Sequence, residues 1–187
     1  MTGVEQPTHA VEVEPGPQER SVARRSPSRP PALLAWLASA VTVSVIAVAQ
    51  SLRGAGGGAL RAAGVCLLLA AGVLIFWPLY LLARHGGGGG QALVRIRCVV
   101  RRGPYAVTRH PQYLGYTLLA WGFALLSGHW AAYLLAAASA ALFYLQALQE
   151  ERYCLAQFGQ AYEAYRRRVP RYNIILGIVR LLREVGR

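Results

Sequence analysis

Two polar clusters interrupt an otherwise apolar chain, and their side chains are of kinds that hold charged ligands. The first, GPYAVTRHPQYLGY at residues 103–116, places Tyr105, Arg109, His110, Gln112 and Tyr113 around two prolines. The second, QALQEERYCLAQFGQAYEAYRRRVPR at residues 146–171, opens with Gln146 and the adjacent carboxylates Glu150 and Glu151. A histidine, arginines and the free N–H groups of a helix start suit a carboxylate or phosphate. Adjacent glutamates at a membrane boundary are costly unless a cation or water meets them. Tyrosine faces add a surface for a flat ring or a sulfonium.

Taken singly, each residue has an ordinary structural role. Arg109 serves as a topology anchor, Tyr105 and Tyr113 as belt aromatics, and His110 as a polar group at a helix start. Pro111 suits a first helical turn, where its missing N–H costs little. The glutamates offset neighbouring arginines. Their coincidence is what asks for a ligand, and that coincidence depends on the elements that carry them.

Those elements are apolar helices. Four stretches, Ala32–Leu52, Ala62–Ala83, Tyr113–Ser127 and Ala131–Gln149, are candidates to cross a bilayer, at ~20 residues per crossing. The third is short for the task, and with the fourth it forms a tight hairpin turning at residues 127–130. RGAGGGALR links the first two, Pro78 is expected to kink the second, and RHGGGGGQ ends it. The expected fold is therefore all-α, a polytopic membrane protein with about four transmembrane helices. Both polar clusters flank the hairpin, so Arg109, His110 and Tyr113 should lie near Glu150 and Glu151.

The ends read differently. Residues 1–31 are rich in Pro, Glu, Arg and Ser and have the composition of a disordered tail. NIILGIVRLLREVGR sets Ile174, Ile175, Ile178, Val179, Leu181 and Leu182 against Arg180, Arg183 and Arg187. It is too short and too charged to span, which points to an interfacial helix, or to one packed on the protein's own cytoplasmic face.

The formal net charge is +12, carried entirely by arginine, with no lysine and no aspartate. Only Arg53 and Arg61 fall in the first interhelical loop; the others lie in the tail, the central loop and the C-terminal region. That asymmetry is a topology signal and places both termini and the central loop in the cytoplasm. It accounts for the charge better than a nucleic-acid-binding face does. Cys66, Cys98 and Cys154 show neither CxxC nor Cys/His spacing, so neither a metal site nor a disulfide framework is expected.

An anion-seeking wall facing a cation-seeking one suits a zwitterion such as S-adenosylmethionine (SAM). The order GPY-x3-RHPQYLG, an apolar hairpin, then QEERY-x4-FGQAYEAYRRRVPR resembles the membrane methyltransferases typified by isoprenylcysteine carboxyl methyltransferase, with phospholipid methyltransferases as relatives. The resemblance covers roughly residues 93–172 and implies that 32–187 form one membrane methyltransferase domain. It implies a SAM site formed by Arg97, Cys98, Val99, Val100, Tyr105, His110, Pro111, Gln112, Tyr113 and Glu150. Arg109 and Glu151 are the residues it points to beside the reacting groups. It implies a lipophilic acceptor that enters from the bilayer, and no metal.

One position departs from the pattern. An arginine one helical turn before the cofactor glutamate is expected to hold a substrate carboxylate, and here that residue is Gln146. Glutamine can donate hydrogen bonds but cannot neutralise a carboxylate or grip it bidentately. Arg152 and Arg109 are the cations left to substitute. An ammonium or phenol acceptor would need a general base, for which Glu151 and His110 are candidates.

Two alternatives stand beside this reading. Membrane sterol and steroid reductases, which bind NADPH, share an RHP-x-Y-x-G stretch and an FG/YG…Y…VP pattern. They carry an acidic residue where this chain has Tyr116, and Arg-Asp where it has Gln-Glu-Glu. The other alternative is a non-catalytic four-span protein that kept the fold and lost the chemistry.

Overall fold

The computed structural model describes residues 33–54, 56–85 and 99–186. The expected N-terminal tail lies outside the described residues, as do Arg97 and Cys98. Among the described residues six helices follow one another: α1 (Leu33–Ser51), α2 (Gly58–His85), α3 (Pro104–Val107), α4 (Pro111–Ser127), α5 (Trp130–Arg168) and α6 (Ile174–Val185). No strand occurs among the described residues.

Helices α1, α2 and α5 are long and apolar enough to cross a membrane. Helix α4, the expected third crossing, has 17 residues, about 25 Å of helix against a hydrocarbon core of roughly 30 Å. It sits inside the bundle, packed on α1, α2 and α5. Beyond Pro111, its buried positions, Gly115, Ala120, Gly122, Ala124 and Ser127, are all small. A helix walled by protein need not match the bilayer thickness by itself. Outward, the bundle presents Trp36, Leu69, Val73 and Phe76, each more than half exposed. An apolar exterior around a core of Val45, Ala120, Ala124, Ala132 and Ala136 is what lipid, and not water, stabilises. The chain is an integral membrane protein.

Small residues set the close approach of α2 and α4. A Cβ on Gly64 of α2 would stand 2.9 Å from the Gly122 carbonyl oxygen of α4, and one on Gly122 would stand 3.1 Å from the Gly64 carbonyl oxygen. At Gly64 the nearest atom is that backbone oxygen, which cannot move aside as the end of a side chain can. Gly64→Leu is expected to lower stability by about 1–3 kcal/mol, the usual cost of overpacking, measured as a fall in the thermal midpoint of the detergent-solubilised protein.

The hairpin expected at residues 127–130 is present. Gly128 is left-handed (φ 66°) and ends α4, and His129 caps α5 by accepting from the Ala131 N–H through Nδ1 at 3.2 Å. Two helices run beyond the apolar stretches expected of them. Helix α2 continues through Pro78 as far as His85. Helix α5 does not stop near Gln149 but runs on to Arg168, bent at Gly159 (φ 51°, ψ −127°), a conformation that strains any residue with a Cβ. Past that bend, Tyr162, Tyr165 and Val169 pack with Val99, Cys154, Leu155 and Phe158. This satellite core roofs the polar end of the bundle.

Candidate functional site

The GPYAVTRH segment is held in place by main-chain bonds to the segment that follows α5. The extended Thr108 donates its hydroxyl to the Arg171 carbonyl, and the Arg109 N–H donates to the Pro170 carbonyl at 3.0 Å. The Tyr165 hydroxyl donates to the Tyr105 carbonyl at 2.7 Å. His110 then takes the N-cap position of α4 with Pro111 as the first helical residue, and no side chain caps the helix. The first-turn N–H groups are therefore left for another acceptor.

The two glutamates, adjacent in sequence, have opposite surroundings. Glu151 is 3% exposed, and its oxygens accept from Arg171 Nε and Nη2, both at 2.8 Å, in a bidentate fork. Arg109 Nη2 stands 3.3 Å and His110 Nε2 3.2 Å from Glu151 Oε1. Glu150 keeps a third of its side chain exposed, and its nearest cationic partner among the described residues is His110 Nδ1 at 3.9 Å. Two arginines and a histidine thus surround one carboxylate, while the other has no arginine beside it among the described residues.

The electrostatics follow from these partners. Hydrogen bonding to Glu151 raises the pKa of Arg171. Burial lowers that of Arg109, and the Glu151 charge opposes the change. Burial, then the Glu150 charge, pushes the Tyr105 phenol above its ordinary value, which keeps it a hydrogen-bond donor.

Val99, Val100, Tyr105, Arg109, His110, Gln112 and Glu150 line one cavity, closed by Leu82, Cys154, Phe158, Tyr162 and Tyr165. The described lining encloses about 90 Å³; pockets for drug-sized ligands run to roughly 300–1,000 Å³. Residues 86–98, which lead into Val99, lie outside the described residues. Pro111, Tyr113, Gln146 and Glu151 stand behind the lining. Tyr113 stacks on His110 with centroids 5.5 Å apart, and Phe143 continues the stack to Tyr113 and Tyr116. Gln146 is 6% exposed, and its Oε1 has no hydrogen-bond partner.

The expected meeting of Arg109, His110 and Tyr113 with the two glutamates is present. Arg171, which organises that meeting, was not singled out by sequence reasoning. It lies twenty positions beyond Glu151, in a stretch without apolar periodicity. The signal was its place at the end of the VPR motif, where a chain reversal after a long helix brings a side chain back. Tyr162, Tyr165 and Phe158 were likewise legible only as an aromatic run.

A bundle of apolar helices with a buried charged cluster at the open end of a hairpin defines a membrane protein with a polar site at its boundary. The phospholipid methyltransferase family model matches residues 60–161, more than half of the chain, and the chain belongs to that family. It is similar to protein-S-isoprenylcysteine O-methyltransferase of Schizosaccharomyces pombe, 38% identical over 73 residues that cover 38% of this chain and 31% of that protein. It is also similar to methanethiol S-methyltransferase 2 of Bradyrhizobium diazoefficiens, 46% identical over 68 residues, or 35% of this chain and 25% of the relative. The matched stretch therefore spans a third or less of either relative. No solved structure matches the chain.

Proposed function

We propose that this protein is a SAM-dependent methyltransferase of the membrane, acting on a small lipophilic acceptor reached from the bilayer, with both termini cytoplasmic. The observation that carries the proposal is the division of labour between the glutamates. Glu151 is consumed by Arg171, Arg109 and His110, so Glu150 is the carboxylate left facing the cavity beside Tyr105, His110 and Gln112. The uncapped start of α4 supplies N–H groups for a carboxylate, and Glu150 supplies charge for an ammonium or sulfonium. The lining thus fits the charge pattern of the cofactor.

When bound, SAM supplies an electrophilic methyl group carried on a sulfonium. What the chain contributes is position and exclusion of water. Glu150 and Tyr105 hold the polar end, while Leu82, Phe158, Tyr162 and Tyr165 keep the cavity dry. Arg109, Glu151 and Arg171 act as positioning residues, because together they fix the imidazole of His110. A carboxylate acceptor needs no base. For a protic acceptor the role falls to His110, since a carboxylate gripped by two arginines is a poor base.

Calorimetric titration of the purified protein with SAM and, separately, NADPH tests the reading. SAM alone should bind. Binding of NADPH alone would overturn it in favour of a reductase. Gln146 supports a second expectation, that the acceptor side is not built for a carboxylate. Gln146→Arg should shift preference towards carboxylate acceptors by about tenfold or more, the worth of a charged hydrogen bond, with SAM affinity nearly unchanged. An acceptor panel measures the shift.

A further inference from the structure

The C-terminal helix holds a site that the methyl-transfer reading does not use. Helix α6 has one face seated on the protein: a Cβ on Gly177 would stand 2.0 Å from the Val107 carbonyl oxygen, and Arg180 Nη2 donates to the Ala106 carbonyl. Its other face carries Ile175, Leu176, Ile178 and Leu182, from 45% to 77% exposed. Between that helix and the last turn of α5 lies a groove of about 320 Å³ lined by Arg168, Arg180, Arg183, Leu176, Val179 and Glu184.

The arginines at this end are not equivalent. Arg166 and Arg167 pair with Glu163, and Arg180 pairs with Glu184. Arg168 and Arg183 are exposed and have no acidic partner among the described residues. Both line the groove. With the groove's one carboxylate already engaged by Arg180, the uncompensated charge there is positive and borders apolar side chains. The base of α6 lies at the edge of the membrane-spanning bundle, since the Tyr172 hydroxyl donates to the Phe143 carbonyl of α5 at 3.1 Å. Unpaired cations beside an exposed apolar face, attached to a protein already in the bilayer, complement one surface: that of an anionic lipid leaflet.

We propose that this groove binds the phosphate of an anionic membrane lipid through Arg168 and Arg183, with the apolar face of α6 in the acyl boundary, and that lipid-anchored α6 braces residues 104–110. The brace runs through Gly177 and Arg180 to Ala106 and Val107, next to the pocket-lining Tyr105. The lipid site stands on its own. The significance of the brace for catalysis rests on the methyltransferase reading.

Hydrogen–deuterium exchange of the full chain tests both parts without cofactor. The protein is reconstituted in nanodiscs of phosphatidylcholine alone, or with one part in five phosphatidylglycerol. An arginine near an anionic surface is worth about fivefold in binding, so two give about 25-fold. Amides 174–185 should exchange about tenfold or more slowly in the anionic discs, and amides 105–110 should slow with them. The double variant Arg168→Gln/Arg183→Gln should remove the difference and leave the rate in phosphatidylcholine unchanged. Gly177→Val should detach the brace, so that lipid slows 174–185 but no longer 105–110. Equal exchange in both discs would overturn the site. The same slowing on adding inorganic phosphate to phosphatidylcholine discs would overturn the lipid as its occupant. Lipid-dependent slowing of 105–110 that survives Gly177→Val would overturn the brace. Loss of SAM binding in both lipids, with these exchange differences intact, would instead count against the cofactor reading alone.

Discussion

In Glu150→Gln protein, SAM affinity should fall between about tenfold and 150-fold while the thermal midpoint stays within a few degrees of the parent. The size follows from losing a hydrogen bond to a charged group, worth about 1.5–3 kcal/mol. The constancy of the fold follows from the surroundings of Glu150, which has no arginine partner among the described residues and whose side chain is one-third exposed. No buried cation is stranded when its charge goes. Titration calorimetry and thermal unfolding of the same preparation measure both quantities. Retained affinity in this variant and in His110→Ala would remove Glu150 and His110 from the site.

Glu151→Ala should do the reverse and strike the fold first. Arg109, 8% exposed at its side chain, and the partly buried Arg171 would both lose their common anion. Breaking a buried pair by deleting one partner costs about 3–5 kcal/mol, because the remaining charge stays desolvated. For a chain of this size that corresponds to a fall of roughly 6–20 °C in midpoint. Arg171→Met should cost less than Glu151→Ala, since Arg109 and His110 still face the carboxylate. The pair of variants also separates positioning from binding. If Glu151→Ala loses affinity no faster than it loses stability, Glu151 acts only by holding His110 and the 169–172 segment in place.

The helix class was legible from composition and periodicity, because a chain that must satisfy its backbone in lipid has few other choices. The apolar stretches, the turn at 127–130 and the amphipathic character of residues 174–185 each rest on local chemistry, so they could be read locally. The end of the fourth apolar stretch could not. Helix propensity does not stop where hydropathy does, and α5 continues past Gln149 to Arg168 with its bend at Gly159. The proximity of His110 to the glutamates was also readable, because a tight hairpin forces its two mouths together.

What the sequence by itself determined is that a membrane-embedded helical bundle carries one dense polar cluster, and which family its motifs belong to. What only the tertiary structure decided is which of two adjacent glutamates is available. Residues 150 and 151 point from different sides of the same helix, about 100° apart, and so meet different neighbours. Arg171 returns to Glu151 only because the bend at Gly159 and the bonds from Thr108 and Arg109 fold the 169–172 segment back across the hairpin. The VPR motif marks a reversal, but spacing does not say which glutamate Arg171 reaches, and it is that return that engages one carboxylate and leaves the other to face the cavity.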